Sequence, residues 1–87
     1  MKLPRDVKGE EFAKLLKKLG YRITRQTGSH LRLTTELEGE HHITIPRHGT
    51  LKVGTLSGIL RDIGEHFGKT KEQIIKELFR KERESES

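Results

Sequence analysis

Residues 21–35 read Tyr-Arg-Ile-Thr-Arg-Gln-Thr-Gly-Ser-His-Leu-Arg-Leu-Thr-Thr, and this stretch decides the fold. Its side chains change character with a period of two. Tyr21, Ile23 and Arg25 fall on one side and Arg22, Thr24 and Gln26 on the other, which is the signature of a strand. Thr27, Gly28 and Ser29 supply turn residues, and Leu31, Leu33 and Thr35 then alternate with His30, Arg32 and Thr34. The stretch is therefore a β-hairpin. An acidic turn at 36–40 contains Gly39, and Ile43 and Ile45 alternate with His42, Thr44 and Pro46 as a third strand, extending the hairpin to an antiparallel meander.

Upstream, Phe12, Leu15, Leu16 and Leu19 recur at i, i+3, i+4 and i+7, so an amphipathic helix precedes the sheet. Gly20 stands where a left-handed residue closes a helix. Downstream, Leu56, Ile59, Leu60 and Ile63 repeat the same spacing and predict a second helix ending at Gly64. Thr70 is placed to cap a third helix over residues 71–83, with Ile74, Ile75, Leu78 and Phe79 as its apolar stripe, and residues 84–87 form a frayed tail. The order is α-β-β-β-α with one added C-terminal helix. The expected fold is α+β, a two-layer, double-stranded-RNA-binding-domain-like arrangement with helices on one face of a three-stranded antiparallel sheet. The other face stays open, and on this phasing it carries Arg22, Thr24, Gln26, His30, Arg32, Thr34, His42 and Thr44.

With 87 residues the chain holds one domain, residues 1–83, and is too small to enclose a large cavern. Its hydrophobic content is 30% against 36% charged, so the core is thin. Cysteine is absent, which removes disulfides and cysteine-based zinc sites and leaves the cytoplasm as the expected compartment. Neither a signal-peptide pattern nor a membrane-spanning apolar run is present, so no membrane role is expected. The net charge of +5 is uneven: residues 1–32 hold nine lysines and arginines against three acids, an excess that attracts polyanions or serves solubility.

Two segments bear chemistry. In Arg25-Gln26-Thr27-Gly28-Ser29-His30, a positive φ at Gly28 would bring backbone amides and the Ser29 hydroxyl to a phosphate, and a β-branched residue there would distort the hairpin. His30 beside it is suited to general acid or base work on a ribose hydroxyl or leaving oxygen. In Ile45-Pro46-Arg47-His48-Gly49, Arg47 and His48 present donors at a strand exit and complete a phosphate site, ahead of the anion-favouring start of the second helix. His41 and His42 are adjacent in a strand and point to opposite faces, so they do not chelate one ion, and no metal or other cofactor is expected.

Four ordered motifs, Lys18-Leu19-Gly20-Tyr21, Arg25 to His30, Ile45-Pro46-Arg47-His48 and Gly54-Thr55-Leu56-Ser57-Gly58-Ile59-Leu60, together resemble the HicA, or YcfA-like, family of toxins. The resemblance implies a messenger-RNA interferase: a metal-independent endoribonuclease of a type II toxin-antitoxin system, with His30 as the catalytic histidine. The implied RNA contacts are Arg25, Gly28, Ser29, Arg32 and Arg47. It also implies a HicB-type antitoxin covering His30, Arg25 and Arg32. Thr27 departs from the basic or amide residue common there. The helix over 71–83 extends past the family's usual end, as a partner-binding, dimerisation or core-capping element. The competing reading is a non-catalytic double-stranded-RNA-binding module, although the helix opening Thr55-Leu56-Ser57-Gly58-Ile59-Leu60-Arg61 lacks the lysine-rich start of such modules.

Overall fold

The structure, a computed structural model, describes residues 6–79. Residues 80–83 of the expected third helix and the 84–87 tail lie outside the described residues. Helix α1 spans Gly9–Leu16 and tightens into a 3-10 turn at Lys17–Leu19; strands β1 (Arg22–Gln26), β2 (His30–Thr35) and β3 (His41–Pro46) follow, then α2 (Val53–Phe67) and α3 (Lys71–Phe79). The sheet is antiparallel in the order β1-β2-β3. This is the expected α+β order.

One core joins the sheet to all three helices. Leu31, Leu33, Ile43 and Ile45 of the sheet meet Phe12, Ala13 and Leu16 of α1, Leu56, Leu60 and Ile63 of α2, and Ile74, Ile75 and Leu78 of α3. The C-terminal helix is thus part of the core, with Phe79 stacked on Phe12 at 6.3 Å between ring centroids. Thr70 caps it as expected: the Gln73 amide donates to Thr70 Oγ1 at 3.1 Å, and the Thr70 amide donates to Gln73 Oε1 at 2.8 Å, a reciprocal capping box.

One boundary differs from the sequence reading. Gly20 has φ 83° and closes the first helical segment as expected, but α2 runs past Gly64 to Phe67 and ends on Gly68 at φ 69°. Gly64 is there because the chain doubles back: a Cβ on it would stand 2.6 Å from the Lys69 carbonyl oxygen. The segment around Val7 pairs with that around Leu51, whose amide donates to the Val7 carbonyl at 2.7 Å. A bridge between Lys8 and Thr50 accompanies it. This lashes the loop after β3 to the start of α1, where a Cβ on Gly9 would overlap the Pro46 carbonyl at 1.9 Å.

A second difference is in β1. Ile23 pairs with Leu33 and Arg25 with Arg32, leaving Thr24 as an extra residue in a β-bulge. The alternation slips by one beyond it. Arg25 joins the open face with Arg32, whereas Gln26, expected there, pairs with Leu31 and turns toward α1.

Candidate functional site

The hairpin tip is held by its backbone. The Thr27 amide donates to the His30 carbonyl at 3.0 Å, and the Arg47 amide donates to the Ser29 carbonyl at 2.9 Å. His30 opens β2 opposite Pro46, on the face away from Leu31 and Leu33, and is exposed. Its Nδ1 lies 3.0 Å from Ser29 Oγ. A hydroxyl both donates and accepts, so this contact suits either neutral tautomer and leaves Nε2 for a proton in transit. His30, Arg25, Arg32, Thr27 and Thr44 line one open depression of about 380 Å³. It continues along the sheet past Arg22, Thr24 and Thr34 to Glu36, Glu40 and His42. The face is therefore polarised, with cations at the His30 end and acids at the other, and an anion is drawn toward His30.

Of the residues expected at the site, Arg25, Ser29, His30 and Arg32 come together. Gly28 sits at the tip without a positive φ; left-handed glycines occur instead at Gly20, Gly39, Gly49 and Gly68. A Cβ on Gly28 would meet nothing within 4 Å, so the expected strain is absent and the position is simply open space at the rim. Arg47 is not with His30. Its side chain points to the α1 side, where its Nε lies 3.5 Å from Glu10 Oε2. The Gln26 amide oxygen, turned to the guanidinium, accepts from it at 2.8 and 3.3 Å. His48 lines a surface depression there with Lys8, Lys14 and Gly49. The two phosphate-site segments thus meet through the Arg47–Ser29 backbone hydrogen bond and the Gln26–Arg47 side-chain contact, but Arg47 does not line the depression that holds His30, because the loop after Pro46 is drawn to α1 by the pairing around Val7 and Leu51.

The other histidines have structural partners. His42 Nδ1 lies 2.7 Å from Thr34 Oγ1, itself 2.9 Å from Thr24 Oγ1, and His42 Nε2 lies 3.0 Å from Glu40. As expected, His41 faces the opposite way. It receives the Tyr21 hydroxyl at Nδ1 (2.7 Å), approaches Asp62 at 3.4 Å through Nε2, and stacks on His66 with centroids 4.4 Å apart. His66 reaches the Leu37 carbonyl at 2.9 Å through Nε2. His66 lies past the helix end expected at Gly64, and its stacking partner lies on a different element, which no local pattern reveals. Burial, and then the negative charge of Asp62, push the Tyr21 phenol well above its ordinary range, so it stays a neutral donor.

Among the described residues, no helix is long and apolar enough to cross a membrane. The family model described as HicA toxin of bacterial toxin-antitoxin matches residues 9–65, more than half of the chain. No curated protein and no solved structure matches.

Proposed function

Because the chain belongs to the HicA toxins of bacterial toxin-antitoxin systems, we propose that it is an endoribonuclease that cuts messenger RNA in the cytoplasm, without a metal, through His30. The observation that carries the reading is the depression on the open sheet face, where His30 stands beside Arg25 and Arg32 with Nδ1 engaged by Ser29. In the reaction, Nε2 takes the proton of a ribose 2′-hydroxyl. The 2′-oxygen attacks phosphorus, the bond to the 5′-oxygen breaks as that oxygen takes a proton from solvent water, and the products are a 2′,3′-cyclic phosphate and a 5′-hydroxyl; the His30 imidazolium returns its proton to solvent. The arginines offset the charge that builds on the phosphoryl oxygens. A single proton-transfer group contributes about 10²- to 10⁴-fold, consistent with a slow nuclease. A HicB-type antitoxin over the open face would silence it.

The competing binding-module reading needs a cationic helix entry across an RNA groove. Helix α2 begins Val53-Gly54-Thr55-Leu56 and has Arg61 as its one Lys or Arg, which disfavours it. The test is inducible expression of wild type beside His30→Ala, following growth and transcript integrity, with purified protein cutting RNA in the presence of a chelator. Wild type is expected to arrest growth and cut with chelator present, and His30→Ala to do neither. Equal cleavage by His30→Ala would overturn the assignment.

A further inference from the structure

On the far side of β1 from His30, α1 does not close completely over the sheet. A cleft of about 240 Å³ remains, with Ala13, Ile23 and Leu31 among its lining and Lys14, Lys17 and Arg47 beside them. Ile23 is 47% exposed, although it lies on the face that elsewhere forms the core. All five residues of β1 are exposed, and β1 is an edge strand. Glu10 is the one acid lining the cleft, and it is engaged with Arg47. Lys14 and Lys17 have no ion-pair partner among the described residues.

From this we infer that the cleft between α1 and β1 is an anchoring site for an acidic polypeptide segment carrying an apolar side chain, contributed by the antitoxin. The inference rests on membership of a toxin-antitoxin family and goes beyond the nuclease reading by separating the grip of the partner from the site it silences. Three arguments select this occupant. The cleft is smaller than the roughly 300–1,000 Å³ of small-molecule pockets, which suits the side chains of a polypeptide better than a cofactor. Its apolar lining includes no aromatic ring for a base to stack on, which disfavours nucleic acid. Its uncompensated lysines complement carboxylates, and such rim charges steer association while a buried apolar anchor supplies holding strength. The bulge at Thr24 interrupts the edge ladder, so the partner is held by side chains in the cleft more than by extending the sheet. A segment anchored here has only β1 to cross to reach Arg25 and His30.

The test uses the purified antitoxin, identified as the gene product that relieves growth arrest on co-expression. Its affinity is measured for wild type, Ile23→Asp, Ile23→Thr and the pair Lys14→Glu with Lys17→Glu. Ile23→Thr keeps the β-branched shape and strand preference, so lost affinity there is not lost folding; thermal midpoints check all variants. The expected result is a dissociation constant raised about tenfold or more for Ile23→Asp and the lysine pair, less for Ile23→Thr. RNA cleavage by the variants alone should stay near wild type, and co-expressed antitoxin should no longer protect cells. Unchanged affinity in folded variants overturns the inference. So does antitoxin binding that depends on Arg25 and Arg32 alone, or groove variants that lose RNA while keeping antitoxin. A wild-type chain that binds antitoxin through the cleft yet cuts no RNA refutes the nuclease reading and leaves this one standing.

Discussion

At His30 the proposed function separates the cost of substitution to the fold from its cost to cleavage. The side chain is exposed and its recorded side-chain contact is with Ser29, so His30→Ala should change stability by no more than about 0.5 kcal/mol while lowering cleavage by about 10² or more. Thermal midpoint and cleavage rate on the same preparation decide it; a large drop in midpoint with cleavage intact would mark His30 as structural. His42 is the informative control, since both its ring nitrogens are engaged by Thr34 and Glu40. Gly28 reverses its sequence-based expectation. With neither a positive φ nor a neighbour for a new Cβ, Gly28→Val should leave the thermal midpoint nearly unchanged. If activity falls in that variant, the cause is a branched side chain standing where RNA passes, and KM rises more than kcat falls. A collapsed midpoint would contradict this account of the turn.

Among the elements, α3 is the one whose role sequence alone left open among partner, dimer and core. Ile74 and Leu78 are fully buried and Phe79 stacks on Phe12, so the helix completes the core. Leu78→Ala should therefore cost about 2–5 kcal/mol, read from denaturant unfolding, without changing the cleavage rate of the folded fraction. A loss below about 1 kcal/mol would return α3 to the role of an appendage. The helices were legible because an apolar stripe at 3.6 residues is written locally, and Thr70 marked its own cap, which Gln73 completes in the structure. The end of α2 was not, because Gly64 looks like a terminator yet is required by the close return of Lys69. In β1 the composition carries no mark of the bulge. Thr24 is an ordinary strand residue, and only pairing with β2 reveals that it is surplus.

For the molecule as a whole, Tyr21, His41, Asp62 and His66 tie the sheet to α2, and this tie sets a limit on alkaline stability. The Tyr21 phenol is raised above its ordinary value of 10.0, first by burial and then by Asp62. Below that pH the phenol is protonated in both folded and unfolded chains, and its contribution is complete. Above it the unfolded chain releases the proton while the folded chain holds it, so stability falls as pH rises. Unfolding midpoints measured upward from pH 9 should decline less steeply for Tyr21→Phe than for wild type; parallel curves would show that the phenol is not coupled to folding. The placement of His30 on the open face was legible, since Gly28-Ser29-His30 is contiguous and strand alternation puts His30 opposite Leu31 and Leu33. The placement of Arg47 was not, because the pairing of Val7 with Leu51 carries it to the other side. The bulge has a consequence for how length varies in such chains. Losing one codon inside a strand ordinarily inverts every later side chain up to the next turn. Losing the codon for Thr24 would instead restore regular pairing, keep Arg25 outward and Gln26 against α1, and forfeit the hydroxyl contacts with Thr34 and the Arg32 carbonyl. An alignment of related chains should therefore place a one-residue gap at this position, with the residues on both sides still in correspondence.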